Sequence, residues 1–340
     1  MTSAVKDTRL ILAAVLVVLA LVSGCAGQPA QQAARPSMPA ASAGPQTRTP
    51  APAPSTAAAV GGDGGYRTGE RGVTFTEPAR TGQTGQHLGE RTLVIEIWYP
   101  WAHGPTGPFP LLLFAPGVLQ CAGAYSDLLR AWASAGYVVA AVNFPRTSCH
   151  RGAEAYEADL VNQPRDMSYV LTRLLALSAR PGDPFSGLLD PHEVGAAGQS
   201  DGGDTVAALG ANSCCTDRRL KAVAVLSGAE WPPMPGRYFP GGVPPILFTQ
   251  GSADTINPPW MSLQLYRADY VGARYYLDLF GASHLIPYEG TNPAERLLAR
   301  VTLAFFDRYV LGQADALKTM TRDGNVTGTA ALVSGGQPPP

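Results

Sequence analysis

The chain has 340 residues, 25 Lys and Arg against 26 Asp and Glu, and a formal net charge of −1. That balance leaves no broad basic field for nucleic acid, so nucleic acid is set aside as a partner. The five cysteines show neither a CxxC pair nor the Cys/His spacing of a zinc site, and no metal or organic cofactor is expected.

Lys6 and Arg9 precede an uninterrupted apolar run, LILAAVLVVLALV at 10–22. A positive segment followed by about a dozen apolar residues is the layout of a secretory signal. At ~1.5 Å per residue the run is short for a permanent membrane span. It ends in VSGC, and the stretch resembles the bacterial lipoprotein signal, in which the cysteine becomes the acylated amino terminus. On that resemblance residues 1–25 are a signal peptide with Cys25 lipidated, and the protein is held by lipid outside the cytoplasmic membrane. The competing reading is an ordinary signal peptide with an incidental cysteine. Residues 26–61 are rich in Ala and Pro and nearly devoid of large apolar side chains. They cannot bury enough surface to offset chain entropy and are expected to form a disordered, semi-stiff linker.

The folded domain is expected over 62–318 and a disordered tail over 319–340, where the chain ends in GGQPPP. TLVIEIWY (92–99) shows the partial alternation of an outer strand. PLLLFAP (110–116), YVVAAVN (137–143), EVGAAGQ (193–199), KAVAVLS (221–227), PILFTQ (245–250) and YYLDLF (275–280) are more continuously apolar. Such runs suit strands covered on both faces, as in a parallel sheet. Helical patterns separate them at 124–136, 157–179, 203–212, 258–271 and 294–311. Strand alternating with helix gives an α/β fold, with a mostly parallel central sheet and helices on both faces.

VGAAGQSDGGDTV at 194–206 sets Ser200 between Gly198 and Gly202, at the end of a buried strand and the start of a helix. A sharp strand–turn–helix lifts a serine hydroxyl to the sheet edge where ligands bind, with backbone N–H groups of the helix start nearby. Serine needs a base to take its proton, and the base needs an acid to hold its tautomer. In this context the chain order is serine, acid, histidine. Of the five histidines only His284, in FGASHLIPY, follows Ser200. The acid is less forced. Asp254, in the loop after PILFTQ, is preferred, and Glu230, in LSGAEW, is the rival. Asp201 and Asp204 sit too close to the serine turn and suit the helix start. The oxyanion donors are expected to be the backbone N–H groups of Asp201 and of Val118, which follows Gly117 in PGVLQC.

With these segments the chain resembles the α/β-hydrolase superfamily, and within it the dienelactone hydrolase, platelet-activating-factor acetylhydrolase and cutinase-like polyesterase group. RTLVIEIWYP, PGVLQ, GQSDGG, GSADTINP and GASH carry the likeness over about 90–310. It implies the α/β-hydrolase fold. No insertion after Ser200 is large enough for a lid domain, so an open cleft for short acyl chains or exposed ester links in lipids or polymers is expected. The resemblance implies a serine carboxylester hydrolase acting through an acyl-enzyme, with Trp231, and after it Trp260, lining the substrate pocket. Pro116-Gly117 replaces the His-Gly of many members, and Asp201 stands where an apolar residue is common. That charge would narrow the substrates to neutral or cationic esters unless it faces solvent. Alternatives are an acyltransferase or peptidase on the same residues, or a catalytically silent surface binding protein. A monomer is expected. In a compartment that permits disulfides, Cys121 with Cys149 is the preferred pair. Cys214 and Cys215 either bridge as neighbours or leave one thiol free.

Overall fold

A computed structural model describes residues 65–101, 107–270 and 272–335. Cys25 and the expected signal and linker segments, 1–25 and 26–61, lie outside the described residues. The apolar runs become strands of one nine-stranded sheet. In chain order these are β1 (Arg67–Glu77), β2 (Arg91–Trp101), β3 (Phe109–Ala115), β4 (Val138–Asn143), β5 (Leu189–Gln199), β6 (Ala222–Leu226), β7 (Ile246–Gly251), β8 (Arg274–Leu279) and β9 (Ala330–Ser334). Their spatial order is β1-β2-β4-β3-β5-β6-β7-β8-β9. From β4 to β8 every pairing is parallel, while β1, β2 and β9 pair antiparallel with their neighbours.

Alternation along the strands divides the core in two. Leu111, Leu113 and Ala115 face one layer, with Met167, Val170, Val206 and Leu265. Leu112 and Phe114 face the other, with Trp132, Phe305 and Phe306. Helices α1 (Ser126–Ser134), α5 (Pro293–Tyr309) and α6 (Ala316–Gly324) cover the second face. Helices α2 (Gln163–Ser178), α3 (Asp201–Ala211) and α4 (Pro259–Ala268) cover the first. A strand buried on both sides has no polar face to show, hence the unbroken apolar runs.

Three features depart from the sequence expectation. The helix expected over 157–179 breaks into a 3₁₀ turn, Glu157–Asn162, and α2, because Pro164 sits at the helix start, where a missing N–H costs nothing. Buried Arg91 donates to both Asp159 and Asp166, and half-buried Arg80 donates to Asp166, so the turn and α2 are fastened to the start of β2. Strand β1 has no apolar run; it is an edge strand with only Phe75 and Glu77 buried, held by its ladder to β2. The tail expected to be disordered over 319–340 is ordered as far as residue 335. There α6 buries Met320, and β9 pairs with β8 from Tyr275↔Ser334 to Leu279↔Ala330. The free edge of β8 supplies the hydrogen bonds that a polar, glycine-containing segment could not supply to itself.

Candidate active site

The carboxyl ends of β5, β7 and β8 lie on one edge of the sheet, with β6 between β5 and β7, and the loop leaving each carries one polar side chain to the same place. Ser200 caps α3 with φ 56° and ψ −125°, a left-handed conformation enforced by close packing around it. A methyl on Gly202 would lie 1.8 Å from the Ala115 carbonyl oxygen, and one on Gly198 2.1 Å from that of Gly202. Only hydrogen at both positions lets helix, strand and β3 meet this closely.

His284, on the loop between β8 and α5, brings its Nε2 to 2.9 Å from the Ser200 Oγ. Its Nδ1 lies 2.7 Å from Oδ2 of Asp254, on the loop between β7 and α4. All three are buried. Asp254 is itself fixed: Oδ1 accepts the N–H groups of Ile256 and Asn257 at 2.9 Å each, and Oδ2 accepts Gln250 Nε2 at 2.8 Å. Burial pushes the Asp254 carboxyl up, but the His284 hydrogen bond, the His284 charge and the two backbone donors outweigh it and hold the group below its ordinary range. The rival acid, Glu230, is exposed and accepts from Gln264 on α4. His87, His150 and His192 are exposed and take no part.

The loop after β3 runs against the serine. A methyl on Gly117 would meet Gln199 Oε1 at 2.9 Å and Ser200 Cβ at 3.1 Å, so the main chain here touches the nucleophile's turn. Among the described residues the N–H of Val118 makes no hydrogen bond. The Asp201 N–H lies against its own carboxyl. The Cys121–Cys149 disulfide joins the end of this loop to the segment after β4, with Cα atoms 5.2 Å apart. Cys214 and Cys215 form the adjacent-residue bridge, beyond the far end of α3.

Buried polar groups that no sequence motif marks hold the histidine loop in place. Gln199 Oε1 accepts the Tyr125 hydroxyl at 2.8 Å, and Gln199 Nε2 donates to the His284 carbonyl at 3.1 Å. The Tyr125 oxygen in turn accepts the Gly117 N–H at 3.2 Å. One continuous line of hydrogen bonds therefore connects the loop after β3 to the histidine loop. The available signal was an amide ending an otherwise apolar buried strand, since a buried amide needs partners. Asn257 adds a tie, donating from Nδ2 to the Ser227 carbonyl at 2.8 Å.

No protein-family model matches the chain, and no curated protein matches it significantly.

Asp201 is buried beside Ser200, and its Oδ2 has no hydrogen-bond partner. Burial, followed by the charge of Glu157, pushes this carboxyl up to about 7, against the opposing pull of His284 and the residue's own N–H. Trp231 is half-buried and packs against a buried cluster of Leu160, Val161, Ala208 and Met234. Trp260 opens α4 and is 60% exposed, so it is surface beyond the acid loop. Two surface cavities, of about 230 and 450 Å³, lie away from the serine, along β1–β2 and at the starts of β3 and β5.

Proposed function

We propose that this chain is a serine carboxylester hydrolase of the α/β-hydrolase superfamily, in the dienelactone hydrolase, acetylhydrolase and polyesterase group. One observation carries the reading. A serine at a left-handed strand-to-helix turn is joined to a histidine at 2.9 Å, and that histidine to a buried carboxylate at 2.7 Å. Chain order, serine then acid then histidine, adds support, as does the main chain after β3 lying against the serine.

In this reading Ser200 Oγ attacks the ester carbonyl while His284 Nε2 takes its proton. Asp254 accepts from Nδ1, fixes the tautomer and stabilises the imidazolium. The N–H groups of Val118 and Asp201 receive the oxyanion. The intermediate collapses as His284 protonates the departing alcohol, leaving an acyl-enzyme. Water then adds by the same proton route, releasing the acid and restoring Ser200. Short acyl chains or exposed ester links in lipids or polymers are the proposed substrates, with Trp231 and Trp260 as proposed pocket residues. Export with a lipid anchor at Cys25 is proposed as well, and the two disulfides suit that compartment.

The purified protein should hydrolyse short nitrophenyl esters, and Ser200→Ala should remove at least ~10⁴ of kcat. Equal turnover by the alanine variant would defeat the proposal.

A further inference from the structure

The residue after the nucleophile poses an unsolved problem in the resting protein. Asp201 is 7% exposed, its Oδ2 is buried with no hydrogen-bond partner, and it adjoins the position where the oxyanion would form. A lone carboxylate there is costly in itself and repels developing negative charge on the substrate. Among the described residues no cationic side chain forms an ion pair with it. The charged and titratable groups that act on it are Glu157, from the 3₁₀ turn before α2, and His284. Its charge reaches Asp204, one turn along α3, and the Tyr125 phenol across the site. Asp204 is occupied by the Ala229 N–H. Arg146, near Glu157 in sequence, is stacked 4.8 Å from the Tyr156 ring centroid rather than paired with either acid. Carboxylates thus stand at two depths, Asp201 buried and Glu157 exposed.

From this arrangement we infer that Asp201 and Glu157 form a cation subsite, and that the preferred esters carry a cationic nitrogen close to the scissile carbonyl. This rests on the esterase reading of Ser200. A bound cation offsets, by charge attraction, the negative charge that would oppose the oxyanion. Without it the carboxyl relieves its burial by holding a proton, so neutral esters are accepted while that proton is present. Cationic esters require the ionised form. The preference for them therefore rises as pH increases through the range in which Asp201 loses its proton.

The test uses isosteric pairs. One is the acetate of 2-(trimethylammonio)ethanol against the acetate of 3,3-dimethylbutanol. The other is the methyl ester of 4-(trimethylammonio)butanoate against that of 5,5-dimethylhexanoate. In one pair or the other, kcat/KM should favour the cation about tenfold at pH 8 and less at pH 5.5, the size of a partly desolvated charge contact. Asp201→Asn, which keeps the backbone donor, should bring the ratio toward unity and flatten its pH dependence. Glu157→Gln, at an exposed position, should lower the ratio partially without affecting folding. Fluorophosphonate labelling of Ser200 is measured on the same samples. Intact labelling with a ratio near unity in both pairs and at both pH values would overturn the subsite and leave the esterase standing. Absence of labelling would overturn both.

Discussion

Replacing Asp254 by Asn tests how the histidine is held. Oδ1 can keep the N–H groups of Ile256 and Asn257, so the amide nitrogen falls where Oδ2 was, opposite two donors, His284 Nδ1–H and Gln250 Nε2. Gln250 can turn its amide over, because its Oε1 is buried without a partner, but it then gives up the Asn257 carbonyl at 2.9 Å. His284 escapes by moving its proton to Nε2, and an N–H then faces Ser200 and cannot act as base. Opposed or unmade buried hydrogen bonds cost about 1–3 kcal/mol. Losing the carboxylate charge beside the imidazolium costs up to about 4 kcal/mol at an effective dielectric constant of 20. Together they give about 5–6 kcal/mol, or ~10⁴ in the acylation rate. Stopped-flow acylation by 4-nitrophenyl acetate measures this, with a thermal melt to establish folding. A folded Asp254→Asn variant within tenfold of the parent rate would refute the role given to Asp254.

Tyr125→Phe orphans the Gly117 N–H and Gln199 Oε1, so it should lower stability by about 1–3 kcal/mol and reduce kcat more than it raises KM, read from denaturant melts and ester kinetics. Removing the Cys121–Cys149 bridge as a double serine variant should cost roughly 3.6 kcal/mol for a 28-residue separation, measured by the same melts. Asp201 makes stability fall with rising pH. Its carboxyl holds a proton in the folded state between its ordinary value of 3.8 and about 7, and releases it on unfolding. The loss is on the order of 4 kcal/mol across that window. Asp201→Asn should abolish it, and urea melts at pH 5 and pH 8 would show whether the slope disappears. Asp254 acts with opposite sign: its stabilisation is present above the ordinary carboxylate range and fades as pH drops through its depressed value.

The alternation of buried strands and helices was legible because each strand from β3 to β8 is enclosed by two apolar layers, and its sequence shows it. Ser200, Asp254 and His284 were legible for a different reason, as chain order and the glycines at 198 and 202 restrict what such a turn can be. β1 and β9 were not legible, since an edge strand draws its stability from a neighbour's hydrogen bonds rather than from its own apolar residues. The same limit hid the line from Gly117 through Tyr125 and Gln199 to His284. Those partners lie up to 85 positions apart, and only the folded sheet brings them together.

In the proposed mechanism one hydroxyl, at position 200, is activated by its neighbours. Mass spectrometry of the protein after treatment with a fluorophosphonate, followed by peptide mapping, tests it most directly. A single phosphonyl adduct on Ser200 is expected, absent from Ser200→Ala and formed far more slowly by Asp254→Asn. An unmodified protein, or an adduct on any other residue, would contradict it.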